Sequence, residues 1–162
     1  MTQPSSLTPH RVIAERMKEL RKKRGWSAAH LAQEMKKAGI PWDRSIVASL
    51  ELGRRATVTV EELLALSFVL SVAPVHLLVP PVGVDDKTPY QVVPNGPGSP
   101  DPVLGGSAPY PAVVRAWVRG QLPMGDMRSY FEEVPPSELA PPDEFGGAWR
   151  VVATGESADG ER

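Results

Sequence analysis

Apolar positions recur with a helical period through the first half of the chain and lose that period in the second. Ile13, Met17 and Leu20 stand at i, i+4 and i+7 with Val12 beside them, so a first helix turns one stripe inward. Thr8 is a capping residue ahead of that stripe, and Pro9 suits the first turn, where its missing amide has no partner to lose. Arg21-Lys22-Lys23-Arg24-Gly25 closes the helix with cations at the negative end of its dipole. Ser27 caps a second helix whose inward positions are Leu31, Ala32 and Met35, and Gly39-Ile40-Pro41 stops it. A third, short helix is predicted between the cap Asp43 and the terminator Gly53. Thr59-Val60-Glu61-Glu62 has the spacing of a capping box and opens a fourth helix, with Leu63, Leu66 and Leu70 down one side and Leu64 and Val69 flanking them. Pro74 to Leu78 makes a short fifth, closed by Pro80-Pro81. The pattern predicts an all-α unit of five helices around one core, spanning residues 8–79.

The third helix is the two-faced one. Val47 and Leu50 lie three apart and face inward, while Arg44, Ser45, Ala48 and Ser49 share the other side. That outer face is short and polar, with a single long cation, and Arg54-Arg55 follows the helix end.

Beyond residue 80 the punctuation changes. Thirteen of the 18 prolines lie there, many of them in Pro94-Asn95-Gly96-Pro97-Gly98-Ser99-Pro100-Asp101-Pro102. Such a stretch buries too little apolar surface to offset its ordering, so residues 80–108 are expected to be a linker. Residues 109–134 predict a short helical attachment, with one helix over Tyr110–Gly120 and another over Asp126–Glu133. Its Trp117, Tyr130 and Phe131 are too apolar to leave as an open patch, which points to contact with a partner protein, or else to a cover for the first unit's core. The tail, 135–162, is expected to be mostly disordered, apart from a contact at Phe145 or Trp149.

Charge follows the same division. Residues 1–80 hold 12 Lys/Arg against 7 Asp/Glu, and residues 81–162 hold 6 against 12, so an overall charge of −1 hides a basic front and an acidic back. The front half is therefore the one suited to an anionic partner. With no cysteine there is no disulfide, thiolate metal site or Cys nucleophile. His10, His30 and His76 fall on separate helices without ligand-spaced neighbours, and Glu61-Glu62 and Glu132-Glu133 are adjacent pairs that diverge by about 100° on a helix. No metal site, cofactor or catalytic residue is expected, and no apolar run has the length of a membrane span.

Ser27-Ala28-Ala29-His30-Leu31-Ala32, Asp43 to Arg55, and Glu62-Leu63-Leu64-Ala65-Leu66-Ser67 together resemble the phage repressor/Cro-type (XRE-like) helix-turn-helix regulators. The shared features are a capped second helix with a Leu-Ala step, a recognition helix ending in Glu-x-Gly-Arg, and a Leu-rich fourth helix. The longer turn before Asp43 and the Gly-Arg-Arg ending resemble actinobacterial members in particular. The resemblance covers residues 8–79 and departs from the family at Ala28, where a glutamine usually buttresses the recognition helix.

What it implies is a sequence-specific transcriptional regulator that inserts the helix near 43–51 into the major groove of double-stranded DNA. Base contacts then fall on Arg44, Ser45 and Ser49, and phosphate contacts on Lys22, Ser27, Arg54 and Arg55. Arg44 can donate two bonds to guanine O6 and N7, worth about 1–3 kcal/mol of discrimination. Glu51 reads as structural, with Arg16 as its expected partner. A homodimer on half-sites about 34 Å apart is the family's usual arrangement, in the cytoplasm at the nucleoid. The alternative is a protein-interaction module, an antitoxin or an adaptor, that uses the same scaffold.

Overall fold

The computed structural model describes residues 7–84, 87–92, 109–121, 124 and 127–135, with the side chains of Met127 and Phe131 excepted. The expectations for Phe131, for Pro94 to Pro102 and for the tail beyond 135 lie outside the described residues. Among the described residues the fold is all-α, with seven helices and no strand. They are α1 Pro9–Lys23, α2 Ala28–Lys37, α3 Arg44–Glu51, α4 Val60–Val69, α5 Pro74–Leu78, α6 Pro111–Val118 and α7 Met127–Glu133. None of these is long and apolar enough to cross a membrane.

Three of the four predicted side-chain caps form. Ser27 accepts from the His30 amide at 3.0 Å and Asp43 from the Ile46 amide at 2.9 Å. Thr59 and Glu62 satisfy each other's amides reciprocally, at 3.2 and 2.9 Å. Thr8 occupies the N-cap of α1 but makes no capping bond with its side chain. The entry to α1 is fixed differently, by the backbone of Leu7. Its amide donates to Pro89 O at 2.9 Å, and its carbonyl accepts from Gln91 N at 2.7 Å.

The helices α1 to α5 surround one core. Met17, Leu31, Met35, Val47, Leu50, Leu66, Leu70 and Leu77 are fully buried in it, and Trp42 at 2% exposure joins them from the turn before α3. The third helix ends in a Schellman motif, with Arg54 N donating to Ser49 O and Gly53 N to Leu50 O. Gly53 takes φ +68 there, a conformation that glycine adopts without a Cβ penalty. The fourth helix ends in the same motif, but with Ser71 at φ 46 in the left-handed position. Arg24 donates to the last carbonyls of α4, Val69 O and Leu70 O, and so caps that helix from outside. One side of α4 faces outward although it is apolar: Val60, Leu64 and Phe68, at i, i+4 and i+8, are 68%, 53% and 82% exposed.

One expectation needs correcting. The linker predicted from residue 80 is not free of the fold at its start, because residues 87–92 dock against α1 and α5. Tyr90 is 2% exposed, and its hydroxyl donates to Leu78 O at 2.5 Å. It joins Leu7, Val12, Val79 and Val114 in a second, smaller core, and α6 lies over this core. Trp117, expected to be available to a protein partner, packs on that core with Val118. Buried Arg115 ties α6 to the end of the first unit by donating to Pro80 O. The first helix of this attachment thus covers the second core, with Val114 at 2% exposure. The Tyr130 hydroxyl of α7 donates to Gly120 O at 3.2 Å, just past the end of α6.

Candidate nucleic-acid interface

The third helix is anchored from its inner face and open on the other. Val47 and Leu50 are fully buried, whereas Arg44 and Ser45 are exposed and Ser49 is half-buried. Ser45 and Ser49 stand at i and i+4, one above the other, and Arg44 lies about 100° around the axis from Ser45. The expected base-contacting set therefore forms one outward surface about a turn and a half long.

Electrostatics at the start of α3 are set by its cap. The Asp43 carboxyl is held below the usual carboxylate range, first by a hydrogen bond from Ser45 and then by the Ile46 amide. Lys36 lies close enough to add a smaller effect in the same direction. Because a carboxylate only accepts, the 2.6 Å contact requires the Ser45 hydroxyl to be the donor. The proton of Ser45 is thereby engaged, and its outward lone pairs remain as acceptors.

The cations sort into two groups. Arg21 is structural: its Nε and Nη2 donate to Glu51 at 2.6 and 2.9 Å, and its Nη1 donates to Trp26 O. The hydrogen bond to Glu51 holds the Arg21 guanidinium above its ordinary pKa. The expected partner of Glu51, Arg16, instead pairs with Glu19 and donates to His76 O. The physical reason is reach. Arg21 sits in the last turn of α1, beside the α1–α2 corner that meets the end of α3, while Arg16 is directed toward α5.

Arg24 is also structural, as the cap of α4. Lys22 and Lys23 are exposed, and like Arg44, Arg54 and Lys36 they hold no ion pair among the described residues. Ser27 is exposed too, its oxygen accepting from His30 N and its hydroxyl proton left available. Lys22 and Ser27 stand on either side in sequence of the α1–α2 corner, which Arg21 fastens to the last turn of α3.

Arg55, expected on phosphate, is occupied elsewhere. Its Nη2 donates to both oxygens of Glu62, at 2.7 and 2.9 Å, and its guanidinium carbon lies 5.7 Å from the centroid of the Trp42 ring. Glu62 in turn accepts from the Trp42 indole at 2.7 Å and from the Thr59 amide. Burial pushes the Glu62 carboxyl up, but the bonds from Thr59, Trp42 and Arg55 outweigh it and leave the group below its usual value.

Sequence reasoning found Glu62 only as half of a capping box. The available signal was a Trp immediately before one helix cap and an Arg just after that helix. Lys36 was missed because it belongs to α2 in sequence and meets α3 only in space.

Among the described residues no group of three or more His, Cys, Asp or Glu side chains could hold a metal ion. No protein-family model, curated protein or solved structure matches the chain.

Proposed function

We propose that this chain is a sequence-specific DNA-binding regulator of the phage repressor/Cro-type helix-turn-helix kind. In this reading α2 and α3 are the helix-turn-helix, and α3 enters the major groove. The observation that carries it is the exposure of Arg44 in the first turn of α3, with no ion pair among the described residues and with Ser45 and Ser49 beside it, while Val47 and Leu50 hold the other face at 0% exposure.

A donor-only guanidinium at that place suits guanine O6 and N7. Ser45, its proton engaged with Asp43, offers only acceptors and suits the amino group of adenine or cytosine. Lys22, Ser27 and Arg54 are the phosphate-contacting groups and give binding its salt dependence. The outward stripe of α4 supports a homodimer. In an antiparallel pair of α4 helices crossing at Leu64, the large Phe68 of each copy meets the smaller Val60 of the other, which makes the stripe self-complementary.

Selection of bound sequences from a randomised duplex pool tests the reading. Arg44→Ala is expected to relax preference at one base position by about 1–3 kcal/mol. Arg54→Ala is expected to weaken all selected sequences alike. A sequence preference unchanged by Arg44→Ala would remove the direct-readout assignment.

A further inference from the structure

Eight residues make α3 about 12 Å long, and two fully buried side chains hold it to the core. Two anchors on one face resist lifting but leave the helix free to tilt and roll about the line between them. Base readout needs that freedom removed, because a bidentate contact tolerates little error in angle. The Arg21–Glu51 pair restrains the last turn, and the other restraint lies on the two flanks of the helix.

Trp42 immediately precedes the N-cap, and Arg55 follows the C-terminal motif. Both donate to the same carboxylate, that of Glu62 on α4. That carboxylate cannot swing to suit them, since it also accepts from the Thr59 amide as part of its own helix cap, and the residue is 9% exposed. The indole is itself locked at 2% exposure, with the guanidinium over its ring. One fixed group therefore grips both ends of α3.

We infer that Glu62 is the positioning residue of the recognition helix, and that Arg55 acts through it and not on phosphate. The inference rests on the DNA-binding reading and extends it. The Gly53-Arg54-Arg55 run then divides: Arg54, exposed and without an ion pair among the described residues, meets the backbone of the duplex, and Arg55 turns inward. Moving Arg55 out to a phosphate would strip a buried carboxylate of its counter-charge, a costly exchange for one more backbone contact.

The test uses the full chain and a duplex taken from the selection, with affinity measured across a salt series. Arg54→Ala should lower the magnitude of the salt slope by about 1, the signature of a lost phosphate contact. Arg55→Ala should leave the slope within about 0.3 of the parent, while weakening binding by about tenfold as the helix loses its pose. Glu62→Gln keeps an oxygen for the Trp42 indole but loses the charge that holds Arg55, and it should weaken binding to a similar degree. The double variant should bind no worse than the weaker single, because both changes break one linkage.

A slope reduced by about 1 in Arg55→Ala, with losses that multiply in the double variant, would overturn the inference and return Arg55 to the phosphates. If circular dichroism shows Glu62→Gln unfolded, the slope of Arg55→Ala decides alone. A parent protein that selects no duplex sequence overturns the DNA-binding reading and this inference together. A parent that binds, combined with a phosphate-like Arg55, overturns the inference only.

Discussion

Among the described residues the first core gathers twelve buried side chains, all from residues 13–77, and the second gathers five, from positions 7, 12, 79, 90 and 114. In the first, nearly every contributor belongs to a helix whose own periodicity declares its inward face. In the second, a single helical position of α1, Val12, meets four contributors from elsewhere: Leu7 ahead of the first helix, Val79 at the end of the five-helix unit, Tyr90 of the segment 87–92 and Val114 of α6. The contrast concerns sequence distance. Local periodicity writes a core when consecutive helices fold back on each other, but it is silent when segments tens of residues apart close a gap by meeting end on. The same rule separates the Thr59–Glu62 capping box, which is local and readable, from the two ion pairs beside α3, Arg21–Glu51 and Arg55–Glu62, which depend on which helices are neighbours.

Three substitutions would break or sharpen this contrast. The largest effect is expected from Leu66→Ala, in the middle of the first core. It should cost about 2–5 kcal/mol in chemical denaturation, the range for emptying a fully buried leucine site. It should destabilise both cores together, because Val12 and Val79 of the second core stand on α1 and at the end of α5. A loss confined to α4 would show the first core to be less cooperative than its packing implies.

Tyr90→Phe is milder. It leaves Leu78 O without its hydroxyl donor and should cost about 1 kcal/mol. Amide exchange should quicken in α6 and around Leu7 while α3 keeps its protection. Equal loosening everywhere would merge the two cores into one.

The smallest effect is expected from Ser71→Gly, which relieves a left-handed residue at the end of α4. It should raise the thermal midpoint in line with a gain of about 0.5–1 kcal/mol, since glycine's larger unfolded-state entropy offsets part of the relief. Exchange in α6 relative to global unfolding should not change.

The positions of the five front helices were legible because their caps and terminators are short-range devices. Asp43, Ser27 and the Thr59–Glu62 pair act within three residues, and Gly53 within the turn it ends. Thr8 takes the N-cap position that the local rule gives it but without a side-chain bond, and the entry of the chain is fixed by residues 89–91, about eighty positions away. Of the candidate site, Arg44, Ser45 and Ser49 were legible as an outward face from helical geometry alone. The pairing of Arg55 with Glu62 was not, because two adjacent arginines after a glycine look alike until the fold sets a buried carboxylate beside one of them.

By itself, then, the chain's order of residues determined which segments become helices, which face of α3 turns inward, and that cations gather in the front half. These depend on interactions spanning one or two turns, which any chain carrying those residues would make. Only tertiary structure decided which cations stay in solvent and which become fasteners, whether residues 87–92 and α6 float or dock, and that one carboxylate holds both flanks of α3. A charge's partner is whatever the fold brings within about 3 Å of it, and that distance has no counterpart along the sequence.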